Sequence, residues 1–441
     1  MPPFPVVPPK QFLFAMFQGS GNIPPILAVA HQLVTRGHRV RILAGPGLRP
    51  DRPPRPVSAS FLEGIKAIGA TLIPLHPSQD PVLDIPPVRG LIGGWTSQGF
   101  RSHVEHARRF LAAPIWADNV GAELTRQPAD VVVADFFLLG ALAAAEAAGI
   151  PAAALVHHHH IRPTAGVPPF GPGWAPARGL LGRLRDTFGK AMVERIYRRD
   201  GLQAINQARQ QCSLPPIPSP LQQYDAATRV LIMTCPAFDF RPRTLPPNVC
   251  YVGMPFEDVG AATWQSPWAA DDDRPLLLVS FSTALQGQEE PLRRTLTALA
   301  TLPIRGLVTL GPTLTPDEFE APANVELTAF APHALILPQV TVVVSQCGHG
   351  TVMKTLAHGV PLVCHPLVGD QHDIAARVVH PGAGVRLPKD ASATAIRKAI
   401  QRVLATPDFR DSAHRLAKEM AIQDGAKTAG DELEMLAMQA K

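Results

Sequence analysis

The sequence predicts an α/β fold of two domains, each built on a parallel sheet. Three observations lead there. At 441 residues the chain is too long for one ordinary core and long enough for two. Short runs of β-branched and aromatic residues recur along it, each followed by a loop and a helix-period stretch, as in strands buried on both faces. Finally, Val340 to Ala376 holds two strand–loop–helix units in direct succession. Such tandem units bring both loops to the carboxyl edge of one sheet, where open α/β folds hold ligands.

In chain order, the proline-rich Met1 to Lys10 precedes a first buried strand at Phe12 to Phe17. The glycine-rich Gln18 to Pro25 then opens a helix through Leu27, Ala30, Leu33 and Val34, and Pro25 is allowed in its first turn. The helix stops at Gly37, and Val40 to Ala44 is the second strand. Gly19-Ser20-Gly21-Asn22-Ile23-Pro24 lacks the third glycine of GxGxxG, so the dinucleotide fingerprint fails. A helix near Ser58 to Ile68 and a strand at Thr71 to Leu75 follow. Residues 76–102 are irregular, and Trp95 and Phe100 there are candidates to line a small-molecule pocket. A helix is expected over His103 to Arg126. Strand Val131 to Ala134 ends at Asp135, an alanine-rich helix reaches Gly149, and Pro151 to Val156 is the next strand. Ile161 to Pro176 reads as a Pro/Gly-rich insertion whose Trp174 either meets a small-molecule substrate or anchors its own loop. A helical stretch from Gly179 to Gln211 and a strand at Arg229 to Thr234 complete the first half. Cys235 to Asp273 reads as loop.

The second half restarts with strand Leu276 to Phe281, which delivers Ser282 and Thr283 to its carboxyl end. Helix 288–300 and strands Leu307 to Leu310 and Val325 to Leu327 follow. Val340 to Val344 is the next strand, and Gly359 is placed to cap the helix after it. Strand Pro361 to Cys364 comes next, then a loop closing with Gly369, Asp370 and Gln371. Helices Ala391 to Leu404 and Phe409 to the end finish the chain. Gly348 and Gly350 leave backbone N–H groups open at a helix start, where the helix dipole favours a phosphate. Asp370 and Gln371 offer hydrogen-bond acceptors and donors in fixed register, which suits sugar hydroxyls. The plainer alternative is that the glycines only turn the chain and Asp370 only caps a helix.

The composition excludes several classes. A net charge of +5, spread along the chain, is no nucleic-acid footprint. There is no apolar run long enough for a membrane span and no signal-peptide pattern. The five cysteines show neither disulfide nor metal spacing, and a reducing cytoplasm is the expected setting. His157 to His160 invites a metal reading, but neighbours in extended chain point to opposite faces and cannot all ligate one ion. Acceptor-pocket lining, by His157 and His158, or plain loop is the expectation instead. Asp271-Asp272-Asp273 carries an Asp-x-Asp pattern but precedes a strand and reads as solvated charge.

Cys347-Gly348-His349-Gly350-Thr351, Gly359-Val360-Pro361 and Asp370-Gln371 match, in order and spacing, the nucleotide-sugar signature of the family 1 glycosyltransferases. Nearly the whole chain resembles the bacterial natural-product branch of that family. The resemblance implies the GT-B architecture, two Rossmann-like domains facing across a cleft. It divides the chain into an acceptor domain over 1–240, a linker over 241–274 and a donor domain over 275–408, with 409–441 crossing back to the first domain. It implies donor contacts from Ser282, Thr283, Phe330, His333, Gln346, Gly348, His349, Gly350, Thr351, Asp370 and Gln371. Phe330-Ala331-Pro332-His333 would lay its aromatic on the nucleotide base. Gln346 stands where the family has a phosphate-binding His, and Lys354 where many members have a ribose-binding Glu. Gly21 and Pro25 match the Gly-His-x-x-Pro motif, but Asn22 occupies the place of its catalytic His. Asp135 matches the Asp that orients that His, or else caps the next helix. The implied reaction is inverting transfer from a UDP- or dTDP-sugar to a hydroxyl of a small, largely apolar natural product, with no metal or other cofactor. An amide has no usable pKa, so Asn22 cannot be the base. Two rival readings stay open at this point. One is a sugar-nucleotide epimerase or lipid-linked transferase of the same fold; the other is a binding protein that has lost its base.

Overall fold

The computed structural model describes residues 8–19, 21–46, 57–75, 110–256, 263–281 and 286–439. The first sheet comprises β1 (Gln11–Gln18), β2 (Arg39–Pro46), β3 (Thr71–Pro74), β4 (Val131–Asp135), β5 (Ala152–Val156), β6 (Arg229–Ile232) and β7 (Val249–Tyr251). All pairings are parallel, in the order β3-β2-β1-β4-β5-β6-β7. Its helices are α1 (Ile23–Thr35), α2 (Ala59–Ala67), α3 (Ala113–Arg126), α4 (Leu139–Ala147) and α5 (Gly179–Gln211). The second sheet comprises β8 (Leu276–Ser280), β9 (Arg305–Thr309), β10 (Val325–Thr328), β11 (Val340–Ser345), β12 (Leu362–Cys364) and β13 (Gly384–Arg386). It is likewise parallel, in the order β10-β9-β8-β11-β12-β13. Around it lie α6 (Glu289–Leu299), α7 (His333–Ile336), α8 (His349–Ala357), α9 (Gln371–Val379), α10 (Ala393–Ala405) and α11 (Pro407–Met420), and α12 (Gly425–Gln439) ends the described chain.

Strand order reverses between β1 and β4 in one sheet and between β8 and β11 in the other. Such switch points open a crevice at the carboxyl ends of the strands. Asn22 and Asp135 stand at the first, and Gln346 to Thr351 at the second. This is the main reason the fold matters to function.

The alternation of β1 serves both faces. Phe12, Phe14 and Met16 join Ile26 and Leu33 on one side, while Leu13, Ala15 and Phe17 join Trp116 and Leu142 on the other. Helix α1 has Pro24 and Pro25 in its first turn, where their missing N–H groups cost nothing. It ends at Gly37, whose φ of 86° allows Gly37 N–H to reach Val34 O (2.9 Å) and His38 N–H to reach Leu33 O (3.1 Å). Gly359 closes α8 in the same way, with φ 68°.

Two expectations need correction. Residues 249–251, expected as loop within a proline-dense stretch, pair with Val230 to Ile232 and add β7 to the first sheet. Strand β13 is an addition with little sequence signal, since only one of its three residues is strongly apolar. The single helix expected from Phe409 onward is two. Helix α11 keeps Ala413, Leu416 and Met420 in the second domain's core, and α12 places Ala429, Leu433, Leu436 and Ala437 in the first domain's. The break falls where Gly425 passes against the backbone of Met254 and Pro255, with no room for a Cβ. On the first domain, Glu434 then pairs with Arg36 (2.6 Å) and His38 (2.7 Å). Of the helix expected over His103 to Arg126, the described part is helical from Ala113, after a 3-10 turn at Phe110–Ala112; residues 103–109 lie outside the described residues.

Candidate active site

The second domain's loop after β11 is built around one unusual residue. Cys347 has φ 71°, a left-handed conformation that disfavours any side chain with a Cβ. It is fully buried, and its N–H donates to Ser345 Oγ at 3.1 Å. The turn brings Gly348 to the N-cap of α8 in ordinary extended conformation (φ −60°, ψ 132°). Among the described residues neither Gly348 nor Gly350 is required by its neighbours, since a Cβ at either would meet none of their atoms within 4 Å. The packing of the described residues therefore does not call for glycine here.

Around that helix start the polar side chains fall into two groups. Gln346 is buried and donates to Gln286 Oε1 at 3.2 Å, and its own Oε1 has no partner among the described residues. Gln371 is turned back into its own loop. Its Oε1 accepts from Leu367 N (2.8 Å) and Val368 N (2.9 Å), and its Nε2 donates to Gln286 Oε1 at 2.6 Å. Asp370 begins α9 but makes no capping bond, so the helix-cap alternative finds no support in the geometry. Thr351 and His333 are partly exposed, and the Phe330 ring is 75% exposed. Gln286, which ties Gln346 to Gln371, was not singled out in the sequence; nothing local marks it. Ser282, Thr283, Trp95 and Phe100 lie outside the described residues.

In the first domain Asp135 ends β4 almost wholly buried, and its Oδ1 accepts from Phe137 N at 3.0 Å. Asn22, also buried, donates its Nδ2 to Asp135 Oδ2 at 2.9 Å and to Phe17 O at 3.1 Å. Asn22 Oδ1 has no partner among the described residues. His157, the first residue after β5, brings its Nδ1 within 3.6 Å of the same Asp135 Oδ2. The carboxylate thus sits between an amide from one neighbouring strand and an imidazole from the other.

The two domains meet at this end of both sheets. His349, the first residue of α8, is buried and points at the first domain, with Nε2 at 3.2 Å from Thr234 Oγ1. Burial lowers its pKa to about 3. Below it, Asp373 accepts from the N–H groups of Gly171 and Gly173 (2.8 Å for Gly173), and Asp239 pairs with Arg377 at 2.7 Å and with Tyr251 Oη at 2.8 Å. Burial raises Asp373 to about 6. His158 corrects an expectation: it is enclosed, with Nδ1 on His159 O (2.9 Å) and its ring stacked on Phe170, and burial lowers its pKa to about 4. The Arg185 guanidinium lies 4.6 Å over the half-buried Trp174 ring. Asp272 of the Asp-x-Asp pattern is held by Arg274 at 2.6 Å.

Comparison with known proteins adds the family. Residues 293–436 match the family model described as "Erythromycin biosynthesis protein CIII-like, C-terminal domain". The chain is 32% identical over 438 residues to 4'-demethylrebeccamycin synthase of Lentzea aerocolonigenes, covering 96% of this chain and 99% of that one. Among solved structures it is similar in fold to the calicheamicin glycosyltransferase CalG4, with a TM-score of 0.72 at 23% identity, over 98% of this chain and 99% of that one. It is also similar to glycosyltransferase VinC, solved with dTDP, with a TM-score of 0.68 at 16% identity, over 97% and 99%. The fold is therefore GT-B, and the chain belongs to the family 1 glycosyltransferases, in the EryCIII-like branch that transfers sugars from nucleotide sugars to natural-product aglycones.

Proposed function

We propose that the enzyme moves a sugar, with inversion at the anomeric carbon, from a dTDP- or UDP-sugar to a hydroxyl of a small, largely apolar aglycone. The observation that carries this reading is the pair Gly348 and Gly350, glycines that the packing of the described residues does not require. They leave room for a diphosphate against the first N–H groups of α8, and the helix dipole stabilises the charge of the leaving group. Gln346, whose Oε1 has no partner among the described residues, and Thr351 are assigned to the polar surround of the phosphates, and the family resemblance adds Ser282 and Thr283. The exposed Phe330 ring offers a face to the nucleotide base, with His333 beside it. Asp370 serves the sugar hydroxyls. Gln371 and His349 support the donor loop from behind, because their side chains are engaged with Leu367, Val368 and Thr234.

Asp135 and Asn22 form the catalytic end, with Trp95 and Phe100 proposed for the acceptor. The dTDP in the VinC structure and the name of the Lentzea relative support the donor and acceptor classes. Among the described residues no helix is long and apolar enough to cross a membrane, and all five cysteines are free; we place the enzyme in the cytoplasm.

The test is calorimetric titration of dTDP and UDP into wild type and Gly350→Ala, with EDTA present throughout. Binding by wild type and about tenfold weaker binding by the variant support the reading. Equal affinities, or binding only when a divalent metal replaces EDTA, would overturn it.

A further inference from the structure

Family-type catalysis needs a base to take the acceptor's proton, and the position of the usual histidine is Asn22, whose amide cannot accept one. We propose that His157 is the base of this enzyme, reaching Asp135 from β5 instead of from β1. The inference rests on the glycosyl transfer to an acceptor hydroxyl proposed above.

The geometry is that of a shared carboxylate with its histidine on the opposite side. Strands β1, β4 and β5 are neighbours in the sheet, and their carboxyl ends deliver Asn22, Asp135 and His157 to one edge. Asn22 Nδ2 holds Asp135 Oδ2 at 2.9 Å, and His157 Nδ1 stands 3.6 Å from the same oxygen. That is ion-pair distance rather than a hydrogen bond, and such catalytic pairs commonly tighten only when substrate closes the site. With Nδ1 toward the carboxylate, Nε2 lies on the far side of the ring, away from the buried Asp135.

Exposure separates His157 from its neighbours. Its side chain is 14% exposed, while His158, His159 and His160 are enclosed, and burial lowers His158 and His160 to about 4. His349 is buried against Thr234. His157 also lies next to the donor site, because its backbone carbonyl faces the His349 ring at the start of α8. An acceptor that touches Nε2 is therefore close to the end of the helix proposed to hold the diphosphate.

In the reaction, Nε2 takes the acceptor's O–H proton while that oxygen forms its bond to the anomeric carbon. The bond from that carbon to the phosphate oxygen breaks, and the nucleoside diphosphate leaves with its electron pair. The Asp135 carboxylate stabilises the imidazolium through Nδ1–H. Asn22 acts as a positioning residue that keeps Asp135 Oδ2 aimed between the two strands.

The experiment compares wild type, His157→Gln, His157→Asn and Asp135→Asn with dTDP-glucose and UDP-glucose as donors. The acceptor is 4-methylumbelliferone, or water, read as donor hydrolysis, since water too must lose a proton. His157→Asn keeps an amide donor beside Asp135 and guards against misfolding; melting temperature and dTDP affinity verify each variant. Expected for both His157 variants are kcat at least 100-fold below wild type, dTDP affinity within twofold, and loss of the acid limb of the kcat–pH profile. A structural role would leave that limb in place. Rates within threefold of wild type, or a lower rate with the acid limb intact, would overturn the proposal. If Asp135→Asn still loses rate in that case, the transfer reading stands with another base. If Asp135→Asn is as active as wild type, the assigned catalytic end falls as well.

Discussion

The loop after β11 and the strand ends of the first sheet occupy equivalent places in two similar sheets, yet under the proposed function they meet different chemical problems. After β11 the chain presents backbone: Gly348 and Gly350 carry no side chain, and the nearby His349 and Gln371 face inward. After β1, β4 and β5 it presents side chains, Asn22, Asp135 and His157, gathered on one carboxylate oxygen. Backbone N–H groups suit a diphosphate whose charge is the same for every donor. Proton transfer needs a titratable group in a set position. Substitutions in the two regions should consequently fail in different kinetic terms.

The largest effect belongs to the first domain. Asp135→Asn keeps the shape and the bond from Phe137 N–H but removes the charge, and kcat should drop by about 10²–10⁴-fold. Steady-state kinetics at saturating donor measures this, and a loss confined to the donor's KM would erase the contrast between the regions. Next is Gly350→Ala. The added Cβ meets no atom, so the melting temperature should hold or rise, while the donor's KM rises about tenfold and kcat stays near wild type. A drop in both stability and kcat would make Gly350 a structural residue.

Phe330→Ala sharpens the donor side further. Loss of a stacking face amounts to about 1 kcal/mol, or roughly fivefold in affinity, and should be the same for dTDP and for dTDP-glucose. A loss seen only with the intact sugar nucleotide would place Phe330 at the sugar instead.

The junction between the regions gives the smallest and most general prediction. His158, His160 and His372 have pKa values lowered by burial to about 4, and His349 to about 3. Each binds its proton more readily in the unfolded chain, so the stability it contributes is present above about 6.5 and lost as pH falls toward 4. Asp373, raised by burial to about 6, works in the opposite sense, favouring the folded state below 3.8 and losing that contribution as pH rises through 6. Four histidines against one carboxyl should give a melting temperature that falls from pH 7 to pH 4.5. A flat or rising profile would show that the junction already admits water.

Much of the donor side was legible in the sequence because it is local: strand, glycine turn and helix follow one another from Val340 to Ala376. The Gln18–Gly37 unit was legible for the same reason. What escaped depends on distance along the chain. Gln286 bridging Gln346 and Gln371, Thr234 beneath His349, and Asp239 with Arg377 are contacts that no local pattern announces. His157 was visible as one of four histidines, but only the pairing of β4 with β5 places it beside Asp135. Strands β7 and β13 were missed because three residues are too few for a period of two to register.

The division of labour between the two domains is tested most directly by calorimetric titration of dTDP-glucose into Asp135→Asn. A dissociation constant within twofold of wild type is expected from a variant whose turnover has collapsed. An affinity that falls by as much as the rate would contradict it, and would make Asp135 part of the donor site.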